Sequence, residues 1–300
     1  MSLPVDRIRS EIERTDAARE SNNAVAEASL AEFVATVTRT QPSLALCMIV
    51  RDAGETIDAL LDSVLGREAG PARFSEYVFV DTGSVDDTRE GILVALSERC
   101  AGYGEEPGTP SVGEFPLHFP TESGKAHAYG FALTGAPDRN VRIVLARFDW
   151  ISDFAAARNF SFELAKSDWR MYLDADDVLP TAPFFLKTLA ATIARNKDVN
   201  CIVMPYDYAP DTQQTVKRMV RWADGWKWFG RVHERMERTS SRGPSNIDKW
   251  HAATVHHRPP AGHFDPQGSL ERNRRIAEAS YADPTTDRKQ RGLDAYTLGL

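Results

Sequence analysis

The stretch that decides the fold is Met171-Tyr172-Leu173-Asp174-Ala175-Asp176-Asp177-Val178-Leu179-Pro180, an apolar run that ends abruptly in carboxylates and is closed by a proline. An extended chain alternates its side chains between two faces, so Asp174 and Asp176 are expected to point the same way. Neighbouring carboxylates repel unless a cation or hydrogen-bond donors lie between them. An all-oxygen ligand set of this kind suits a hard divalent ion, Mg²⁺ or Mn²⁺. Taken alone, the triplet reads equally well as an acidic turn that caps the next helix. The rest of the chain has to choose between the two.

Upstream, Leu44–Val50 (LALCMIV) is a continuous apolar run, the pattern of a strand buried on both faces. Gly54–Leu65 then reads as an amphipathic helix, with Ile57, Leu60, Leu61, Val64 and Leu65 on one stripe and Gly66 placed to stop it. A second strand, Tyr77–Val80, runs into the acidic turn Asp81-Thr82-Gly83-Ser84-Val85-Asp86-Asp87-Thr88, and a helix follows over Thr88–Arg99. Strand, helix, strand, helix predicts a parallel sheet with crossover helices, an α/β fold. In such sheets ligands bind beyond the carboxyl ends of the strands. Three acidic turns fall there: Arg51-Asp52, Asp81 to Asp87, and Asp174 to Asp177. That convergence favours a binding site over a mere cap.

From Ala101 to about Asn140 the periodicity dissolves into scattered Gly, Pro, Ser and His, which reads as a long loop, with short strands near Phe115–Phe119 and a strand at Val141–Leu145. A helix opens after Ser152 or Asp153, either of which can cap it, and buries Phe154, Ala157, Ser161, Leu164 and Ala165. Pro183–Asn196 reads as a helix and Cys201–Met204 as a strand. Alternating β-type stretches rich in Trp and Arg fill Tyr206–Arg238, and their Trp222, Trp226 and Trp228 could stack on an acceptor or simply pack the core. The chain from Ser269 is helical and charged, and Tyr296–Leu300 reads as the start of another helix. Three segments are expected: an N-terminal helical extension over 1–41, the main domain over 42–262, and a C-terminal helical segment over 263–300.

The chain has 300 residues and a formal net charge of −7, which does not suggest a polyanion binder overall, although Lys217–Arg238 is locally basic. Cys47, Cys100 and Cys201 show no metal-like spacing, and an odd, sparse set suits a reducing compartment. No apolar run approaches the length of a bilayer span, and MSLPVDRIRSEIER has no signal-peptide hydrophobic region, so a cytoplasmic location is expected. No Gly-x-Gly-x-x-Gly follows the first strand and no Gly-Lys-Ser/Thr is suitably placed, which excludes a dinucleotide oxidoreductase and a P-loop enzyme. Phosphates must then be held by a metal and by side chains such as Arg158. His251, His256, His257 and His263 cluster, yet no cysteine partners them and His233-Glu234 lacks the second histidine of a zinc-protease helix. One histidine joining the two carboxylates is the more economical metal set.

Four segments, Leu46-Cys47-Met48-Ile49-Val50-Arg51-Asp52, Val80 to Thr88, Asp153-Phe154-Ala155-Ala156-Ala157-Arg158-Asn159 and Leu173 to Leu179, together resemble glycosyltransferase family 2, inverting enzymes of the GT-A fold. The resemblance covers roughly residues 43–260. It implies transfer of a sugar from a nucleotide-diphosphate donor, UDP-linked by expectation, with Mn²⁺ or Mg²⁺. It places Val50, Arg51, Asp52 and Glu55 in the nucleotide pocket, Asp81 toward base and ribose with Ser84 beside it, and Arg158 near the diphosphate. Asp174, Ala175 and Asp176 match the Asp-x-Asp segment, with Asp176 the direct metal ligand and His256 or His257 completing the metal site. The family's His-Glu pair is matched by His233-Glu234. Two departures are the length of 101–140 and the N-terminal extension.

An inverting transfer needs a carboxylate to take the acceptor's proton from the face opposite the leaving group. Glu234 is the first candidate from its motif context, with Asp177, Asp207 and Asp224 as rivals. The acceptor is a hydroxyl-type group on a glycan or peptide, or a modified nucleic-acid base. The helical extensions offer a route to a homo-oligomer. A non-catalytic nucleotide-sugar-binding scaffold and a sugar nucleotidyltransferase of related fold are the alternatives. The second would want a basic, Gly-rich loop where Arg51-Asp52-Ala53-Gly54 stands.

Overall fold

The computed structural model describes residues 42–65, 74–105, 117–133, 136–180, 189, 191–193, 195–209, 211–239, 245–249, 253–259 and 266–300. The expected N-terminal extension, the Gly66 stop, most of the Pro183–Asn196 helix, His251 and His263 lie outside these residues. The strands are β1 (Leu44–Val50), β2 (Glu76–Asp81), β3 (Cys100–Glu105), β4 (Ala126–Leu133), β5 (Ala136–Arg147), β6 (Trp169–Tyr172), β7 (Asp177–Val178), β8 (Cys201–Ala209), β9 (Thr212–Arg221), β10 (Trp226–Phe229), β11 (Arg235–Arg238), β12 (Ile247–Lys249) and β13 (Val255–His257). The helices are α1 (Ile57–Val64), α2 (Thr88–Arg99), α3 (Phe154–Leu164), α4 (Pro266–Ala282) and α5 (Arg288–Leu298).

The main sheet runs β3-β4-β5-β2-β1-β6-β9-β8-β13-β7, with β12 on β8, and β10-β11 form a separate hairpin. Its centre, β5-β2-β1-β6, is parallel. The expected α/β architecture is therefore present, with antiparallel flanks on both sides. β1 shows why an unbroken apolar run was needed. Leu44, Leu46, Met48 and Val50 pack with Ile57, Leu60 and Leu61 of α1 and Ile92 and Leu96 of α2. Ala45 and Cys47 face the other layer, with Ala155 and Phe162 of α3 and with Trp226 and Trp228. Small residues on that face bring α3 close to the sheet, and α3 carries the site's central arginine.

Several expectations are corrected. The 101–140 stretch is no plain loop, because β3, β4 and the start of β5 make an antiparallel edge out of its described parts. Tyr129 and Phe131 alternate inward along β4, but Gly130 between them and His127 before them obscure the period of two. Leu117 and Phe119 are buried without forming a strand. On α3, Ala155, Arg158 and Phe162 are buried where Phe154 and Leu164 were expected. Tyr296–Leu298 ends α5 rather than starting a helix, with Gly299 at φ +74° as its cap. Trp226 and Trp228 are core residues, and Trp222 packs edge-on to Phe162 beneath the Arg170 guanidinium, so none is an open stacking platform.

The basic run is also spent inside the molecule. Arg218 is buried and pairs with Asp177, Arg221 with Asp224, Arg231 with Asp283, and Arg235 with Asp287. No helix among the described residues is long and apolar enough to cross a membrane. Arg218 and Asp177 form a buried ion pair at 3.2 Å, with the guanidinium between the rings of Tyr172 and Tyr206. Arg218→Ala leaves a buried carboxylate unpaired and is expected to cost about 3 kcal/mol in urea unfolding. Arg221→Ala, which breaks a half-exposed pair, should cost about 1 kcal/mol or less in the same assay. Equal effects would show that the buried pair is not what holds the turn.

Candidate active site

The carboxyl ends of β1 and β2 are laced together by the two acidic loops. After Val50 the chain turns through Asp52, whose φ of +47° is a left-handed conformation that Asp tolerates better than most residues. The Asp52 amide donates to Ser84 Oγ at 3.1 Å and Asp52 Oδ1 accepts from the Val85 amide at 2.8 Å. The Ala53 amide donates to Thr88 Oγ1 at 2.6 Å and the Gly54 amide to Asp86 Oδ2 at 2.9 Å. A Cβ on Gly54 would sit 2.0 Å from Asp87 Oδ1, so a larger residue there would have to push the exposed Asp87 side chain aside. Gly54 thus serves loop packing, not a phosphate cradle. Asp81 is buried; its Oδ1 accepts from the Ser84 amide at 2.9 Å, while Oδ2 has no hydrogen-bond partner and lies 3.9 Å from Arg89 Nε.

α3 brings the centre of the site. Asp153, not Ser152, caps it by accepting from the Ala156 amide at 2.8 Å. One and a half turns on, Arg158 is buried between the rings of Tyr172 and Trp228, at 4.9 and 5.1 Å. Its Nη2 donates to Asp174 Oδ1 at 2.6 Å and its Nε to Glu234 Oε1 at 2.7 Å. Burial opposes the charge, but Asp174, Glu234 and Tyr172 raise the arginine's pKa above its usual value. Asn159, next in sequence, exchanges two 2.9 Å hydrogen bonds with the backbone of Trp228 and so fixes α3 to β10.

The acidic triplet is a turn rather than a continuing strand, closed by a bond from the Asp177 amide to the Asp174 carbonyl at 3.0 Å. Asp174 and Asp176 do line one cleft, but the turn gives them different partners. Although burial opposes it, Arg158 and then Arg218 hold the Asp174 carboxyl below its usual range. Burial raises Asp176; His257 pulls the other way, and Asp174 and Asp177 add to the rise. Asp177 is fully enclosed, paired with Arg218, accepting from Tyr206 Oη at 3.0 Å and from the Asp174 amide at 3.1 Å. Both of its oxygens are occupied in holding the turn, which does not suit the role of proton acceptor given to it above.

The choice between the histidines follows from strand alternation. On β13, His257 lies opposite Asp177 of β7, with Nδ1 3.6 Å from Asp176 and 3.8 Å from Asp177. His256 turns to Asp207 instead, with Nδ1 2.9 Å from Oδ2, and does not join the carboxylate turn. Asp176, Asp177 and His257 offer ligand atoms all within 4.8 Å of one another. His257 Nδ1 is buried without a hydrogen-bond partner, which fits a cation between it and Asp176.

A cleft of about 970 Å³ opens over these groups. Val50, Arg51, Asp52 and Glu55 line it from the first loop, Arg158 from α3, and Asp174, Ala175 and Asp176 from the turn. Asp81 and Ser84 lie beneath the lining, and Glu234 stands behind Arg158. Sequence reading missed Thr82, Asp86, Trp150, Phe154 and Arg272, which also line the cleft. Trp150 and Phe154 stack edge to face at 4.7 Å, and the place of Trp150 just before the third motif and of Phe154 within it was the available signal. Arg272 sits in a charged helix with no such signal.

Comparison with known proteins supplies the decisive observation: residues 131–258 match the family model described as glycosyl transferase family 2. The stretch 131–258, less than half of the chain, is similar to that family. It contains Arg158, the carboxylate turn, Glu234 and His257, whereas β1, β2 and their loops precede it. The parallel-centred sheet, flanked by helices and carrying its cleft at the carboxyl edge, is the GT-A architecture. The SPbeta prophage-derived glycosyltransferase SunS of Bacillus subtilis (strain 168) is 31% identical over 87 residues, 28% of this chain and 21% of that protein. The chain thus matches about a fifth of that relative's length. Among solved structures, S. aureus TarS 1-349 is 12% identical with a TM-score of 0.45, covering 85% of this chain and 69% of that one. Glucosyl-3-phosphoglycerate synthase from Mycobacterium tuberculosis is 12% identical with a TM-score of 0.45, covering 81% and 80%.

Within the matched stretch the fork of Arg158 is the testable element. Arg158→Lys keeps a positive charge but cannot hold Asp174 and Glu234 with two directed N–H groups. It is expected to lower folded stability by about 1.5–3 kcal/mol, read from urea denaturation. An unchanged midpoint would mean that charge alone suffices.

Proposed function

We propose that this chain is a metal-dependent, inverting glycosyltransferase that moves a sugar from a UDP-linked donor to a hydroxyl acceptor. The observation that carries the reading is the Arg158 fork, which lines the cleft together with Asp174 and holds Glu234 behind it, while Asp176 is left with no arginine partner among the described residues. Asp176 and His257 would hold the divalent ion, with Asp177 behind them. When bound, the ion supplies Lewis-acid stabilisation of the charge on the departing diphosphate.

The chain's own groups do the rest. The lacing of the loops after β1 and β2 fixes Val50, Arg51 and Asp52 as one wall of the nucleotide site, above Asp81. Arg158 orients Asp174 and Glu234. Glu234 Oε1 is taken by Arg158, and its other oxygen accepts no hydrogen bond among the described residues, which leaves it for an acceptor hydroxyl's proton. His233, at φ +52°, turns the backbone just before it. A glycan or peptide hydroxyl suits this site better than a nucleic-acid base, because the arginines of the basic run are committed to internal pairs.

Calorimetric titration should detect UDP in the presence of Mn²⁺ and only weakly in its absence, with GDP the poorer ligand. Asp176→Asn should cut metal-supported UDP binding and donor hydrolysis by about tenfold or more, the order of one charged ligand contact. Glu234→Gln should bind UDP but lose transfer by about a hundredfold or more, the usual scale of a general base. Full transfer by Glu234→Gln would move the base elsewhere, and UDP binding without any turnover by the native chain would favour a binding scaffold. Asp176's raised pKa adds a pH test. That shift contributes stability fully present below the unfolded carboxyl pKa and lost as pH rises through the folded value, so the carboxylate is a burden at neutral pH. Mn²⁺ relieves that burden, and its increment to Tm should be large at pH 7 and shrink as Asp176 is protonated in acid. A pH-independent increment would remove Asp176 from the metal set.

A further inference from the structure

The C-terminal helices are fastened to the segment that carries Glu234. Gln290 Nε2 donates to the Val232 carbonyl at 3.0 Å, Arg231 pairs with Asp283, and Arg235 reaches Asp287 at 2.9 Å. Ile276 and Ala277 pack on Val232, with Trp150 and Phe154 against them. Gly230, at φ +95°, sits where a Cβ would lie 2.1 Å from Gln290 Oε1, so the approach is as close as backbone allows. This docking sets α4 along the cleft and presents Arg272 to it.

Arg272 is exposed on α4 and lines the cleft, as does the exposed Arg51. Its guanidinium lies over the Phe154 ring at 5.4 Å, and its only hydrogen bonds among the described residues go to the neighbouring Asn273 Oδ1, at 3.3 Å. It has no carboxylate within ion-pair distance among the described residues. Partial enclosure by the cleft wall, and then the like charge of Arg51, lower its pKa, with Glu234 pulling the other way. Arg51 itself has only a loose 3.5 Å contact with its neighbour Asp52. Two arginines held in one cleft without strong partners are stabilised by an anion between them, and a guanidinium fork suits phosphate oxygens. The same cleft carries the Asp174–Asp176 turn, where a cation would bind one face of a diphosphate and leave the other to be neutralised.

We propose that Arg272 and Arg51 bind the diphosphate of the donor, so that the C-terminal helix completes the substrate site. The inference rests on the nucleotide-sugar reading above and adds to it a contact from outside the matched stretch. It also gives donor binding and the placement of Glu234 a common support, since α4 and α5 hold both.

The test compares UDP with uridine, in Mn²⁺, for the native chain, Arg272→Ala, Arg272→Gln and Arg275→Ala. Arg275 lies on the same helix, exposed and paired among the described residues only with Glu271, and serves as the helix control. Arg272→Ala is expected to weaken UDP about tenfold or more and to leave uridine within about twofold. Arg272→Gln, which keeps a polar stem over Phe154, should behave likewise, and decides the matter if the alanine variant unsettles the helix. Arg275→Ala should bind both ligands as the native chain does. UDP affinity retained within about twofold in both Arg272 variants, or equal losses for UDP and uridine, would overturn the inference. Failure of the native chain to bind UDP or any other nucleoside diphosphate would instead overturn the reading on which it rests, and this inference with it.

Discussion

The Arg158 guanidinium lies between the rings of Tyr172 and Trp228 and spends its hydrogen bonds on Asp174 and Glu234. Taking a cation out of water is costly, and that cost is met only if its partners are held in fixed geometry. The surroundings supply that geometry. Ala45 and Cys47 keep the sheet face shallow, which lets α3 settle close; Asp153 caps the helix; Asn159 ties it to β10. The cleft is the space left above this clamp, walled by chain segments far apart in sequence.

The three aspartates of the turn show how identical side chains are given different work. Asp177 has a buried arginine of its own and serves as a strut. Asp174 shares Arg158 and is held ionised. Asp176 has neither arginine as a hydrogen-bond or ion-pair partner and faces two negative neighbours, with only a histidine to offset them. A divalent cation lowers the energy of such an arrangement, whereas it would gain little beside the other two.

The parts of this structure that were legible in the sequence are those governed by local rules. β1 and β2 were unbroken apolar runs, α1 was a clean stripe, and the acidic turns had to converge once the parallel pattern was recognised. The misses have physical causes. β4 alternates correctly, but His127 and Gly130 hide its period. Asp174 and Asp176 were placed on an extended chain, and a backbone bond between Asp177 and Asp174 made a turn instead. The Trp residues were offered to a ligand and the arginines near them to a polyanion, because burial and internal pairing are long-range facts. Arg272 was invisible for the same reason: only the docking of α4 against Val232 brings it to the cleft.

β13 is only three residues long, and its two histidines project in opposite senses toward Asp176 and Asp207. A frame slip of one residue ordinarily turns a strand inside out. Here one direction of slip would bring His256 to the carboxylate turn in place of His257 and set Val255 against Asp207. The imidazole beside Asp176 would survive. The doubled histidine therefore keeps an imidazole beside Asp176 through such a slip, and places the risk on Asp207.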